Sequence, residues 1–382
     1  MTEETRRGPL GGIRIVEIGS IGPGPFAATV LAQLGADVVR LQRPGDSGPV
    51  EMAGTQADKR NRVALAVDLK KPDGQAIAMR LIDGADAILE GFRPGVMERL
   101  GLGPDELLAR NPRLVYARLT GYGQNGPLSH VAGHDINYTA MAGVLGAIGR
   151  PDEVPVPPLN LIADYGGGGM LAALGIVTAI LDVQRGGHGQ VVDIAMVDGV
   201  AQLASLIYSF AGSGVWGPRG TNILDGGAHF YDVYETADGG FMAVGAIEPQ
   251  FYAELIRILE IPFDVAPQFP AERWPELKKR FAAVFMTKTR AEWTALFESA
   301  NACTTPVLTM AETPVHPHHL ARRSFESHSG TTLPVSAPRF SRYADPCRRD
   351  VSDVVGVLRS WGLTSNEVEI HSARGAFPSS PI

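Results

Sequence analysis

The chain alternates two kinds of hydrophobic pattern. Short, mainly apolar runs at 13–18, 36–41, 85–89, 113–119 and 190–194 have the length of strands buried in a sheet. Between them lie helical repeats at 25–35, 95–100, 104–110 and 170–183, the first stopping at Gly35 and the last at Arg185-Gly186-Gly187. Strand and helix in alternation predict a parallel sheet with helices on both faces, a Rossmann-like α/β domain, because parallel strands need crossovers and the crossovers cover the sheet. A further helix is expected at 196–210.

Beyond residue 210 the pattern changes. Residues 211–228 are rich in glycine with little periodicity and read as a flexible linker. Strand, turn and strand follow at 230–235, Ala237-Asp238-Gly239-Gly240 and 241–246, then helical patterns at 250–259, 276–285 and 290–300, which predict a small α+β domain. The last helical patterns, 351–361 and 366–373, are too little for a core of their own, so the proline-rich stretch 333–340 is expected to lead back to the first domain. The expected organisation is a large domain over 1–210, a linker over 211–228, a small domain over 229–320, and a return over 321–382 that completes the large domain.

Composition narrows the function. With 382 residues, 45% hydrophobic and 20% charged, the chain has the make-up of a globular enzyme with two domains. Its first nine residues are charged and polar, and no uncharged apolar run reaches 18 residues, so a cytoplasmic protein without a membrane partner is expected. A net charge of −7 argues against nucleic acid while leaving room for a local basic pocket. Cys303 and Cys347 read as free thiols. His316-Pro317-His318-His319 has no acid or cysteine at ligand spacing and reads as a surface loop, so no metal site is expected. Asp193 and Asp198 flank a strand-to-helix turn and read as caps.

Gly19-Ser20-Ile21-Gly22-Pro23-Gly24-Pro25 follows a strand and opens a helix, where a dinucleotide fingerprint would sit. Pro23 and Pro25 remove two N–H donors that a pyrophosphate would need, and the second strand ends in Arg40 and Arg43 in place of an acid, so a nicotinamide cofactor is not expected. Arginine suits a phosphate instead, and Lys59-Arg60-Asn61-Arg62 adds three positive charges nearby.

Gly133-His134-Asp135-Ile136-Asn137-Tyr138 resembles the alpha-methylacyl-CoA racemase branch of the family III CoA-transferase superfamily, and the likeness runs over nearly the whole chain. Other blocks that carry it are Gly22-Pro23-Gly24-Pro25-Phe26, Glu90-Gly91-Phe92-Arg93-Pro94-Gly95-Val96, Pro158-Leu159-Asn160 with Asp164, and Gly245-Ala246-Ile247-Glu248-Pro249. The resemblance implies a family III CoA-transferase fold, an interlocked homodimer, and an acyl-CoA substrate, with coenzyme A part of that substrate and no separate cofactor. It implies a racemase of 2-methylacyl-CoA thioesters in which His134 and Asp164 flank the α-carbon and Glu248 holds the imidazole; Asp135, which reads as at or near the cap of a helix start, is counted with them as a catalytic-site residue. It places coenzyme A against Arg43, Val67, Asp68, Leu69, Lys70, Arg93, Gly133, Ile136, Asn137 and Tyr138. Two departures put pocket shape and phosphate grip in question: His229 stands where the family has proline, and Val63 where it often has a basic residue.

Those residue types suit the chemistry. Inverting a centre beside a thioester means taking a weakly acidic proton from one face and returning one to the other, which needs two separate acid–base groups; an imidazole and a partly desolvated carboxyl qualify at neutral pH. Free amides at the helix start after His134 would face the enolate oxygen, and Gly166–Gly169 would let the backbone beside Asp164 approach the thioester closely. Trp216 either covers the acyl chain or packs. The alternative function is a CoA-transferase with Asp164 as covalent nucleophile, a mechanism with less need of a second base; a third is CoA binding without turnover.

Overall fold

The computed structural model describes residues 8–44, 61–328, 330–343 and 354–367, and they form two compact units. The first comprises the described parts of 1–142, 159–203 and 323–382, and the second Gly143–Pro158 and Ala204–Arg322.

The first unit is built on six parallel strands, β1 (Arg14–Ile18), β2 (Asp37–Gln42), β3 (Arg62–Ala66), β4 (Ala87–Glu90), β5 (Val115–Thr120) and β6 (Gln190–Ala195), in the order β3-β2-β1-β4-β5-β6. Strand order reverses between β1 and β4, and the crevice beyond the strand ends at such a switch point is where open α/β sheets bind ligands. The loops after these two strands meet there: a Cβ on Gly91 would lie 3.3 Å from Ser20.

Strand β3 and the helix α2 (Pro72–Asp83) were not anticipated, although Val63-Ala64-Leu65-Ala66-Val67 is an apolar run; the basic residues before it mask the strand. On one sheet face Val16, Val39, Leu41, Val63, Leu65 and Ile88 pack with Ile77 and Leu81 of α2 and with Leu358 and Trp361 of the returning chain. Val63 is therefore a core position, where a basic residue would be buried without a partner, so its departure from the family pattern does not bear on phosphate grip. On the opposite face Arg40 and Arg62 both donate to the fully buried carboxylate of Glu17.

Helix α1 (Pro23–Gln33) starts with proline at its first position, where the missing N–H has no helical partner to lose. It packs through Ala27, Ala28 and Leu31. A π-helical segment, Leu161–Met170, continues directly into α5 (Leu171–Gln184); two further helices, α3 (Pro104–Arg110) and α4 (Asp135–Met141), precede it. The combined 24-residue helix is apolar enough to span a membrane by length alone, yet half of its apolar stretch is buried in the protein.

The second unit holds a three-stranded antiparallel sheet in the order β7-β8-β9, with β7 (Tyr231–Glu235), β8 (Phe241–Gly245) and β9 (Thr304–Pro306). Its core joins Phe230, Tyr234, Phe281, Phe285 and Trp293. The helix expected over 196–210 breaks at Ala204 into α6 (Met196–Leu203) in the first unit and α7 (Ser205–Gly212) in the second. The expected linker is also folded into this unit. Asp225 accepts from the amides of Gly220, Asn222 and Gly227, and the Asn222 side chain bonds Gly217, Pro218 and Asp225, so side-chain hydrogen bonds replace the periodicity that glycine-rich sequence lacks.

Candidate active site

His134 is the N-cap of α4, with extended backbone (φ −130, ψ 177) and an exposed imidazole. Its N–H donates to Asn137 Oδ1 at 3.0 Å, which ties the turn shut. Asp135, the next residue, is buried and does not cap its own helix. Its Oδ2 accepts from the amides of Ala163 at 2.7 Å and Asp164 at 2.8 Å, and its Oδ1 from the Thr139 hydroxyl at 3.2 Å. Those amides open the Leu161–Met170 segment and lack helical partners, so a carboxylate satisfies them and suits the positive end of the segment. One side chain thus joins the start of α4 to the turn that carries Asp164.

Asp164 is half-buried. Asn160, one turn earlier, donates to its Oδ2 at 3.4 Å. Gly22 lies against the same oxygen: a Cβ there would sit 3.2 Å from it, and the backbone at φ +71 favours glycine as well. Burial raises the Asp164 pKa above its ordinary 3.8; the Asn160 bond opposes that, Asp135's charge adds to it, and His134's charge opposes it. A carboxyl so placed holds a proton more readily, and its anion is the stronger base. Gly22 and Asn160 are site residues that the sequence marks only as members of the family blocks; the four-residue spacing of Asn160 and Asp164 is the signal that points to the second.

The glycine row after Asp164 serves packing, contrary to expectation. A Cβ on Gly167 would meet Val200 N at 2.9 Å, one on Gly168 the Met196 side chain at 2.8 Å, and one on Gly169 the Phe26 ring at 2.5 Å, so α1 and α6 fill the space intended for a thioester. Of the expected coenzyme A contacts, Val67 is buried in the core and Leu69 packs against it, so neither side chain is open to ligand. Asp68 accepts the Lys70 amide at 3.0 Å in the turn into α2, while the Lys70 side chain is exposed. Tyr138 is buried, donates to Gly133 O and stands edge-on to Tyr122 at 5.0 Å; it is scaffold, and its ring explains Gly121, whose Cβ would lie 2.1 Å away. Ile136, Asn137, Arg93 and Arg43 are exposed, and Gly133 is partly so. Arg43 sits just past the end of β2, whereas Arg40 and Arg62 are committed to Glu17; Lys59 and Arg60 lie outside the described residues.

The Glu90–Val96 block forms a charged knot. Glu90 accepts from Phe92 N at 2.7 Å and Arg118 Nε at 2.9 Å, and Arg118 also bonds Glu98 at 2.7 Å; burial nevertheless pushes the Glu90 pKa up to about 7.

Glu248 lies in the second unit as the exposed N-cap of α8 (Pro249–Ile258). There also, His229 is fully buried among Phe230, Tyr252 and Phe281, with Nε2 2.8 Å from the Tyr252 hydroxyl. Since that hydroxyl donates to Ala266 O, His229 carries its proton on Nε2; burial lowers its pKa to about 4, and it is a core residue with no part in pocket shape. His316–His319 begins a short helix, Pro317–Arg322, not a loop. Asp193 is no cap of α6: it accepts the Gln124 amide at 3.2 Å. Cys303 is free and exposed, and Cys347 lies outside the described residues. Among the described residues no three His, Cys, Asp or Glu are placed to hold a metal.

A six-stranded parallel sheet, with His134 and Asp164 on two turns that the Asp135 carboxylate bridges, agrees with the sequence comparison: the chain belongs to CoA-transferase family III, whose profile matches residues 10–351. The crystal structure of a CAIB/BAIF family protein from Brucella suis has the same fold, with a TM-score of 0.75 at 25% identity, covering 93% of this chain and 99% of that one. Within the family the chain is 49% identical over 375 residues to the alpha-methylacyl-CoA racemase of Mus musculus, covering 96% of this chain and 97% of the relative. It is 52% identical over 318 residues to that of Homo sapiens, covering 83% and 82%. A succinyl-CoA–D-citramalate CoA-transferase of Chloroflexus aurantiacus is more distant, at 33% over 335 residues, covering 83% and 82%.

Proposed function

We propose that the protein interconverts the enantiomers of 2-methylacyl-CoA thioesters by moving the α-proton between His134 and Asp164. The observation that carries the reading is the Asp135 bridge, which links the residue after His134 to the backbone amide of Asp164, in a chain about half identical to named racemases. Either group, unprotonated, takes the α-proton from one face; the enolate then takes a proton from the other group on the opposite face. The raised pKa of Asp164 suits both halves of the cycle. The first-turn amides of α4 are the proposed donors to the enolate oxygen, and Glu248 the proposed partner of the imidazole. Arg43, Lys70 and Arg93, all exposed, are the proposed cations for coenzyme A, which arrives with the substrate. The proposed working form is a homodimer, because α7 buries none of its side chains while carrying Leu206, Ile207, Tyr208 and Phe210.

The test is incubation of a single-enantiomer 2-methylacyl-CoA in deuterium oxide without an acceptor acid. Deuterium should enter at the α-carbon while optical purity falls. Transfer of coenzyme A to an added acid, the activity named for the 33% identical relative, without exchange would overturn the reading in favour of a transferase in which Asp164 attacks the carbonyl.

A further inference from the structure

We infer that Asp135 is the positioning residue of the proton-transfer site, acting on Asp164 through its backbone and through charge without touching substrate. The inference rests on the reading of Asp164 as one of the two bases. Asp135 is 5% exposed, and both its oxygens are engaged inside the protein, by Ala163 N, Asp164 N and the Thr139 hydroxyl. One of the two amides it holds is that of Asp164 itself. On its other side Asp135 is covalently joined to His134, whose own turn is closed by Asn137. The two bases are thus spaced by one peptide bond and one carboxylate, with no flexible side chain between their backbones. Proton transfer demands such spacing, since about 1 Å of misplacement typically costs about 10²-fold in rate.

Capping alone does not account for the choice of residue. Ser, Thr and Asn satisfy helix-start amides as well, without a buried charge. An aspartate here sets a second negative charge beside a half-buried carboxyl, an arrangement that disfavours ionisation of Asp164. The other charged groups around Asp164 among the described residues are few. From α4 come His134 and, beyond it, Tyr138; α1 has no titratable side chain. Asp198 of α6, Asp182 of α5 and Asp193 of β6 are exposed, Arg118 of β5 is held by Glu90 and Glu98, and Tyr165 of the segment itself stacks on Phe26.

The experiment is the pH profile of racemisation, measured from each enantiomer, for the parent, Asp135→Asn, Asp135→Ala and Asp164→Ala. With the enantiomer whose proton Asp164 takes, the rate falls on the acid side as Asp164 gains a proton; with the mirror image it falls on the alkaline side as Asp164 loses one. Asparagine keeps a carbonyl oxygen for both amides and removes the charge, so Asp135→Asn should move both of these limbs to lower pH. Asp135→Ala, which removes the bonds as well, should lower kcat by about 10²-fold with KM changed by no more than about twofold. Limbs that stay in place in Asp135→Asn, even with a lowered melting temperature, reduce Asp135 to a structural cap and overturn the inference. Should the alanine variant fail to fold, the near-isosteric asparagine variant decides alone. Racemisation that survives in Asp164→Ala defeats the reading of Asp164 instead, and so separates the two failures; one-face exchange of the other enantiomer through His134 does not.

Discussion

Each unit buries an ionisable side chain, and the two are treated differently. In the first, Asp135 has three hydrogen-bond donors around one carboxylate, while its neighbour Asp164 has a single 3.4 Å bond from Asn160 and a glycine in place of a covering side chain. In the second, His229 is packed by aromatic rings with one nitrogen bonded and Nδ1 without a partner among the described residues. The difference teaches that burial by itself does not mark a reactive group. His229 is made inert, because burial keeps it neutral and no opening reaches it; Asp164 is kept partly open, so the same desolvation makes it a better proton carrier.

The sharpest way to break this contrast is to remove the reactive groups. His134→Ala and Asp164→Asn should each reduce turnover by at least about 10²-fold, the range of a general acid–base group. Asp164→Asn should also raise the melting temperature at neutral pH. The native carboxyl has a raised pKa, so its contribution to stability is present below about pH 3.8 and is lost as pH rises; asparagine has no charge to bury. Thermal unfolding at pH 7 checks it, and an unchanged midpoint would mean that Asp164 carries no desolvation cost.

A second measurement separates the units by pH. Folded His229 has a pKa of about 4 against an ordinary 6.5, so the stability that comes from its neutral form is present above pH 6.5 and is lost as pH falls through 4, by up to about 3 kcal/mol. Glu90 acts in the opposite sense: its folded pKa near 7 exceeds the ordinary 4.5, so its contribution is present below 4.5 and lost as pH rises through 7. Acidification from pH 7 to 4.5 should therefore loosen the second unit while the surroundings of Glu90 tighten. Hydrogen exchange followed by mass spectrometry reads the units apart, and His229→Phe should abolish most of the acid sensitivity in the second.

The smallest expected effect compares two glycines of nearly equal φ. Gly22 at φ +71 faces the Asp164 carboxyl, whereas Gly239 at φ +75 turns into open space between β7 and β8. Gly239→Ala should cost about 1 kcal/mol of stability from backbone strain alone and leave exchange unchanged. Gly22→Ala should show at least as much strain, since ψ −117 takes it outside the left-handed region that alanine can adopt, and in addition lower turnover by about tenfold, because its methyl group must displace the catalytic carboxyl. Equal activity in both variants would remove Gly22 from the site.

The strands β1, β2, β4, β5 and β6 and the helices α1, α3 and α5 were legible because hydrophobic periodicity is a property of near neighbours in sequence. His134 and Asp164 were legible for another reason, the motifs that carry them. Other features were hidden. Val63 could stand in a basic cluster or in a core, and Arg62 could meet a phosphate or Glu17; only the packing of β3 beside β2 and β1 decides, since a charge takes whatever partner the sheet brings within reach. A glycine row reads the same whether it admits a ligand or a helix, and the apolar pattern over 196–210 continues without a break across Ala204.

What the sequence by itself determined is the kind of element each segment forms, the parallel sheet they build, and the family that its motifs define. What only the tertiary structure decided is who partners whom: that Asp135 serves the amides of residues 163 and 164, that Gly22 faces Asp164, that His229 is sealed and the glycine row filled. The reason is physical. Local propensity and periodicity act over a few residues, whereas the bond of Asp135 to Asp164 joins positions 29 apart and forms only after α4 and the π-helical segment have packed together.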